Sequence, residues 1–105
     1  SSLDGYFYEH GPQHVNDKGE LYTNPHSWNQ FANMLYLEAP AGVGFSYSTD
    51  PADYNIDDFQ VATDNYHALQ VFFATKFPEL ASNDFMITGE SYGGIYVPSL
   101  TVRIL

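Results

Sequence analysis

The chain has 105 residues, enough for one domain and not for two. Thirteen acidic residues against three basic ones give a formal net charge of −10 at pH 7, which disfavours nucleic acid and anionic lipid as partners, because phosphate recognition needs clustered Lys and Arg. With 44% hydrophobic and 17% aromatic residues the chain carries too much apolar surface to stay disordered, and no run of 18 apolar residues is present to span a membrane.

In chain order, residues 3–9 are dense in aromatics (Tyr6, Phe7, Tyr8) and close at Gly11-Pro12. Periodicity leaves a short helix and an extended segment both open there. Residues 13–33 are polar and turn-rich, with Asp17-Lys18-Gly19 as a hairpin-type turn and Asn24-Pro25 as a turn start. Met34-Leu35-Tyr36-Leu37, stopped by Glu38-Ala39-Pro40, reads as a buried strand, and Ala41-Gly42-Val43-Gly44 as a flexible loop. After a polar loop over 48–55, Asp57 caps a helix, with Gln60 as its capping-box partner. Phe59, Ala62, Tyr66, Leu69, Phe73 and Phe77 recur every three or four residues, one face of a helix of about five turns that Pro78 stops. Asp84-Phe85-Met86-Ile87-Thr88 is a second strand, 89–94 a tight turn, and Ile95, Leu100 and Ile104 mark a further helix kinked or restarted at Pro98. This order predicts the α/β class, with parallel strands in a covered sheet and a right-handed crossover.

The chemistry concentrates at Gly89-Glu90-Ser91-Tyr92-Gly93, which fits Gly-x-Ser-x-Gly. That pattern puts a nucleophilic hydroxyl on a sharp turn between strand and helix, where the next residue's N–H can bind an oxyanion. Three fixed positions recur by chance in roughly a few per cent of chains this long, so an ordinary serine in a Gly-rich connection is the competing reading. The apolar run before the motif and the helical pattern after it favour the nucleophile.

A serine nucleophile needs a base. In this pattern the order is Ser, acid, His, yet His10, His14, His26 and His67 all precede Ser91, and the residues after it hold no His, Asp or Glu. The expected triad cannot be assembled from these residues. His67 reads as a surface residue of the long helix, His14 and His26 as solvated loop residues, and His10 is of interest only for its neighbour Glu9. Glu38 and Glu90, at strand ends, either line a site or cap the sheet in water. Gly42 and Gly44 form no dinucleotide fingerprint, because Tyr47 stands where the third Gly belongs. Asp50, Asp53, Asp57 and Asp58 match no calcium-loop spacing and read as a solvated acidic loop. With no cysteine there is no disulfide, zinc cluster or thiol nucleophile. The start without Met and the apolar end at Leu105 predict a chain cropped from a longer one.

These residues together resemble the serine carboxypeptidases. Residues 89–98, Gly-Glu-Ser-Tyr-Gly-Gly-Ile-Tyr-Val-Pro, look like the family's nucleophile segment. Residues 35–47, Leu-Tyr-Leu-Glu-Ala-Pro-Ala-Gly-Val-Gly-Phe-Ser-Tyr, resemble a second hallmark, and Asn24-Pro25-His26-Ser27-Trp28-Asn29 a third. Ser1-Ser2-Leu3-Asp4-Gly5 resembles the stretch that follows the family's Asn-Gly-Gly-Pro-Gly-Cys segment. Glu9-His10-Gly11-Pro12 and Ala41 lean toward the animal lysosomal, cathepsin A-like branch. The resemblance covers essentially the whole chain, in order.

The resemblance implies the N-terminal portion (1–105) of a single α/β-hydrolase domain truncated at both ends, with a mostly parallel sheet and flanking helices. It implies removal of the C-terminal residue of peptides at acidic pH, without a cofactor. Ser91 is then the acyl-forming nucleophile and the backbone N–H of Tyr92 half of the oxyanion hole, with the triad Asp and His downstream of Leu105. Glu9 and Glu90 map to two glutamates that bind the substrate's C-terminal carboxylate. Three carboxyl groups in one site cannot all ionise, so binding ties itself to low pH. The expected partners are peptides with a free C-terminus, with a homodimer of the full-length enzyme allowed, and the expected compartment is lysosomal or vacuolar, or the protein is secreted. Two other readings share the framework: an acyltransferase, as in plant relatives, and a non-catalytic binding or protective homologue. The 105 residues alone are expected to be inactive and poorly soluble.

Overall fold

The structure, a computed structural model, describes residues 2–105. It resolves into two units, one reaching to Tyr54 and one spanning Asn55–Leu105, and each is described by itself.

The first unit opens with the helical turn α1 (Ser2–Gly5), which runs on as a π-helical turn over Tyr6–His10. The aromatic stretch is therefore helical, and Gly11-Pro12 closes it as expected. Strands β1 (Gln13–Val15) and β2 (Leu21–Thr23) then pair antiparallel, with His14 opposite Tyr22. The Asp17-Lys18-Gly19 turn joins them. Asn16 Oδ1 accepts from the N–H groups of Lys18 and Glu20, both at 2.9 Å, the local side-chain bonding that makes Asn a turn former. Aromatic rings fill the space beside the hairpin. Tyr6 packs edge-on against Phe7 and Tyr36, and His10 lies 4.9 Å from the Trp28 ring and is stacked on Tyr36. Burial, and secondarily the neighbouring Tyr6, push the Tyr36 phenol above its usual range.

In the second unit α2 (Asp58–Val71) begins where the sequence places it. Asp57 is the N-cap, its carboxylate accepting from the Gln60 N–H at 2.8 Å, an arrangement that stabilises a helix by about 1 kcal/mol. The helix widens into a π-helical turn over Phe72–Lys76 and stops before Pro78, which starts a short, tighter 3-10 turn, Pro78–Leu80. Helix α3 (Gly93–Ile104) packs against α2. It runs through Pro98 without ending there. Val61, Ala62, Leu69 and Leu100 are the buried apolar residues of this unit.

Three expectations are corrected. The face assigned to α2 holds at Ala62 and Leu69, which are buried, but not at its start: Val61 is buried too, while Phe59 is 70% exposed and lies under the Arg103 guanidinium, which is 5.5 Å from its ring centre. The two strands expected at 34–37 and 84–88 form no ladder, and the sheet is the antiparallel β1–β2 hairpin. A parallel strand holds its shape through hydrogen bonds to flanking strands, and neither run finds such a neighbour among the described residues. Glu38 neither caps a sheet nor opens outward. It folds into its own loop, where Oε2 accepts from the Phe45 N–H at 2.8 Å and its carbonyl accepts from Ser46 Oγ. Gly44, at φ 55°, leaves room for that carboxylate, into which a Cβ would collide. Of the motif over residues 1–5, Ser1 lies outside the described residues. Among those described, no helix is long and apolar enough to cross a membrane.

Candidate active site

Ser91 sits on the turn that enters α3. Its φ is +55°, the one non-glycine residue with positive φ among those described. An L-residue in the left-handed region is strained, and that turn is the backbone a serine elbow requires. The turn is held by a run of short hydrogen bonds: Gly93 N–H to Glu90 O at 2.8 Å, Gly94 N–H to Ser91 O at 3.0 Å, and Ile95 N–H to Tyr92 O at 2.9 Å. The Tyr92 N–H, one step earlier, donates to no backbone carbonyl among the described residues.

Gly89 explains the close approach beneath the turn. A Cβ there would stand 2.8 Å from Val97 Cγ2 and 3.1 Å from the Gly93 Cα. The segment before the turn and the first turns of α3 are thus packed backbone to side chain, with no space for a methyl group. Gly93 is different, since a Cβ on it would meet nothing within 4 Å.

The Tyr92 side chain reaches back to α2. Its hydroxyl donates to Asp58 Oδ1 at 2.9 Å and lies 3.0 Å from Oδ2. The Asp58 hydrogen bond, more than desolvation or the nearby Asp58 and Tyr96 charges, raises the Tyr92 phenol above its ordinary value. Asp58, read from sequence as part of a solvated loop, is therefore the anchor of the residue after Ser91. No sequence signal marks it, because the pairing joins residues 34 positions apart.

Glu90 is exposed, immediately before Ser91. Glu9 belongs to the first unit, near the end of the Tyr6–His10 turn, and its side chain is also exposed. Its carbonyl is held by His14 Nε2 at 2.9 Å and by Asn24 Nδ2 at 3.2 Å. The histidines are engaged elsewhere than at a base position: His10 Nδ1 lies 3.1 Å from Tyr36 Oη, and His67 is exposed on α2 beside Tyr66.

Comparison with known proteins agrees with this picture. The family model described as serine carboxypeptidase matches residues 1–105. The chain is 55% identical to the serine carboxypeptidase ctsa-4.1 of Caenorhabditis elegans over 106 residues, covering 100% of this chain and 22% of that protein. It is 52% identical to the lysosomal protective protein of Mus musculus over 106 residues, again covering 100% of this chain and 22% of the relative. It superposes on the structure of the prohormone-processing carboxypeptidase Kex1 of Saccharomyces cerevisiae with a TM-score of 0.74 and 33% identity, covering 99% of this chain and 23% of that one. The chain thus spans about a fifth of the length of the curated relatives it matches. With the family model matched from end to end and the serine turn in place, the chain belongs to the serine carboxypeptidase family.

Proposed function

We propose that this chain is the nucleophile-bearing portion of an α/β-hydrolase domain that removes C-terminal residues from peptides at acidic pH. The observation that carries the reading is the strained Ser91 turn at the start of α3, with φ +55°. Membership of the family supports it, as does the chain's coverage of about a fifth of its relatives. The wide apolar exposure, with Phe31 at 89%, Phe45 at 86% and Met86 at 77%, supports a stretch that packs against the rest of a longer domain.

In this reading Ser91 Oγ attacks the carbonyl carbon of the last peptide bond. Its proton passes to a histidine base outside these residues, oriented by an acid that also lies outside them. The bond to the carbonyl oxygen becomes a C–O⁻, and the Tyr92 N–H stabilises that charge. The base returns its proton to the leaving amine, the C–N bond breaks, and an acyl ester on Ser91 remains for water to hydrolyse. Glu9 and Glu90 receive the terminal carboxylate of the substrate. Three carboxyl groups brought together cannot all stay ionised, so binding takes up a proton and favours acid. A lysosomal or vacuolar compartment, or secretion, fits that chemistry, and the mouse relative's name supports the lysosomal alternative.

The test is made on the full-length protein. A fluorophosphonate probe is expected to label Ser91 stoichiometrically, with release of the C-terminal residue from an N-blocked dipeptide abolished in step with labelling. Full turnover by Ser91→Ala overturns the reading. Acyl transfer to an added small alcohol in preference to water would assign the same serine to an acyltransferase instead.

A further inference from the structure

Asn24 directly follows β2, and it is only 5% exposed, one of two buried polar residues among those described. Burying an amide is costly unless each of its polar atoms is paired, and Asn24 pairs all of them. Nδ2 donates to Gly11 O at 2.9 Å and to Glu9 O at 3.2 Å, and Oδ1 accepts from the His26 N–H at 2.9 Å. Its own backbone N–H donates to Pro12 O at 2.9 Å. Three of these four bonds end on the carbonyls of residues 9, 11 and 12. Those carbonyls close the Tyr6–His10 turn, where helical partners run out. The side chain must be an amide of this length: a carboxylate would face two carbonyl oxygens with no proton to offer, and a methyl group would take the Asn24 donor from the buried Gly11 carbonyl and leave the Glu9 carbonyl to His14 alone. The Asn24 amide therefore dictates where the backbone of Glu9 stands, while the Glu9 carboxylate stays exposed.

We infer that Asn24 is a positioning residue that fixes the Glu9 backbone so that the Glu9 carboxyl group meets the free carboxylate of a peptide C-terminus. The inference rests on the reading of Glu9 as a carboxylate-binding residue. Asn24 touches no reacting atom; it acts through Glu9. His14 shares the task, since its Nε2 reaches the same Glu9 carbonyl at 2.9 Å. Because the effect passes through recognition of one charged group, it should appear in substrate discrimination and leave the chemical step intact.

The experiment compares two N-blocked dipeptides in the full-length enzyme, one with a free C-terminal carboxylate and one with a C-terminal carboxamide. Rates are normalised to the serines titrated by a fluorophosphonate. Asn24→Ala is expected to raise KM for the acid substrate about tenfold, on the scale of one lost hydrogen bond's worth of positioning, with kcat and the amide substrate within about twofold. Glu9→Ala is run beside it, since a glutamine there would still donate a hydrogen bond to the substrate carboxylate. If Glu9→Ala leaves the acid-to-amide ratio unchanged, the reading of Glu9 fails and this inference with it. If Glu9→Ala lowers the ratio and Asn24→Ala does not, the positioning role alone is overturned. A uniform loss on both substrates also overturns it, because a merely structural residue would act that way. Should Asn24→Ala not accumulate, Asn24→Ser and His14→Ala carry the same comparison, the latter at a half-exposed site. A lowered ratio in either supports the role, and an unchanged ratio in both refutes it.

Discussion

The Tyr92 hydroxyl is bound by the carboxylate of Asp58, 2.9 Å from Oδ1 and 3.0 Å from Oδ2, so the residue after Ser91 is tied to the first turn of the neighbouring helix. The phenol is raised from its ordinary value of 10.0, first by this hydrogen bond. The proton is held more tightly in the folded state than in the unfolded chain. The stability from the pair is thus fully present below the unfolded value and is lost as pH rises through the raised one. Asp58→Asn is expected to return Tyr92 toward the ordinary range. Titration of ring-labelled tyrosine by NMR in the full-length protein checks this, and an unmoved Tyr92 resonance would show that the carboxylate is not the cause.

Gly89 and Gly93 flank Ser91 yet should respond oppositely to alanine. Gly89→Ala drives a methyl group to 2.8 Å from Val97 Cγ2, an overpacking that costs about 1–3 kcal/mol. Gly93→Ala enters open space at the first position of α3 and should be neutral or slightly stabilising, since Ala is the better helix former. Adding Val97→Ala to Gly89→Ala should recover part of the lost Tm. Equal losses at both glycines would contradict the packing described.

Ser91 holds a backbone conformation that favours glycine, φ +55°. Ser91→Gly is expected to raise stability by about 1 kcal/mol through relief of that strain, while removing the fluorophosphonate adduct. Ser91→Ala removes the adduct and keeps the strain. Denaturant midpoints of the two variants separate the effects, and identical midpoints would argue against strain at this turn.

Glu90→Gln tests the acid dependence. With one carboxyl group replaced by an amide, fewer protons need be taken up on binding, so the peptidase should remain active while its kcat/KM falls less steeply toward neutral pH. A pH profile superimposable on that of the parent enzyme would rule out Glu90 as the origin of the proposed acid preference.

Local signals translated directly into structure. Asp57 with Gln60 three residues on marks a cap, and the helix starts there because the bond is made within one turn. Asp17-Lys18-Gly19 forms its turn for the same reason. Gly-x-Ser-x-Gly placed Ser91, because the turn and its hydrogen bonds span only residues 90–96. The runs at 34–37 and 84–88 were not legible in this way. An apolar run states that a strand would be buried, and only flanking strands supply its ladder. The helical face was legible in part: Ala62 and Leu69 are buried as their spacing implies, while Phe59 is left exposed beside Arg103 of α3 and Val61, toward the other side of the helix, is buried.

The chain alone therefore determined the family, the position of the serine turn and the start of its longest helix, all of which depend on residues close together in sequence. Only the tertiary structure decided that Asp58 anchors Tyr92 and that Asn24 holds the Glu9 carbonyl. Those bonds join residues 34 and 15 positions apart. A polar side chain declares what it can bond, but which partner it meets depends on how the intervening chain folds back.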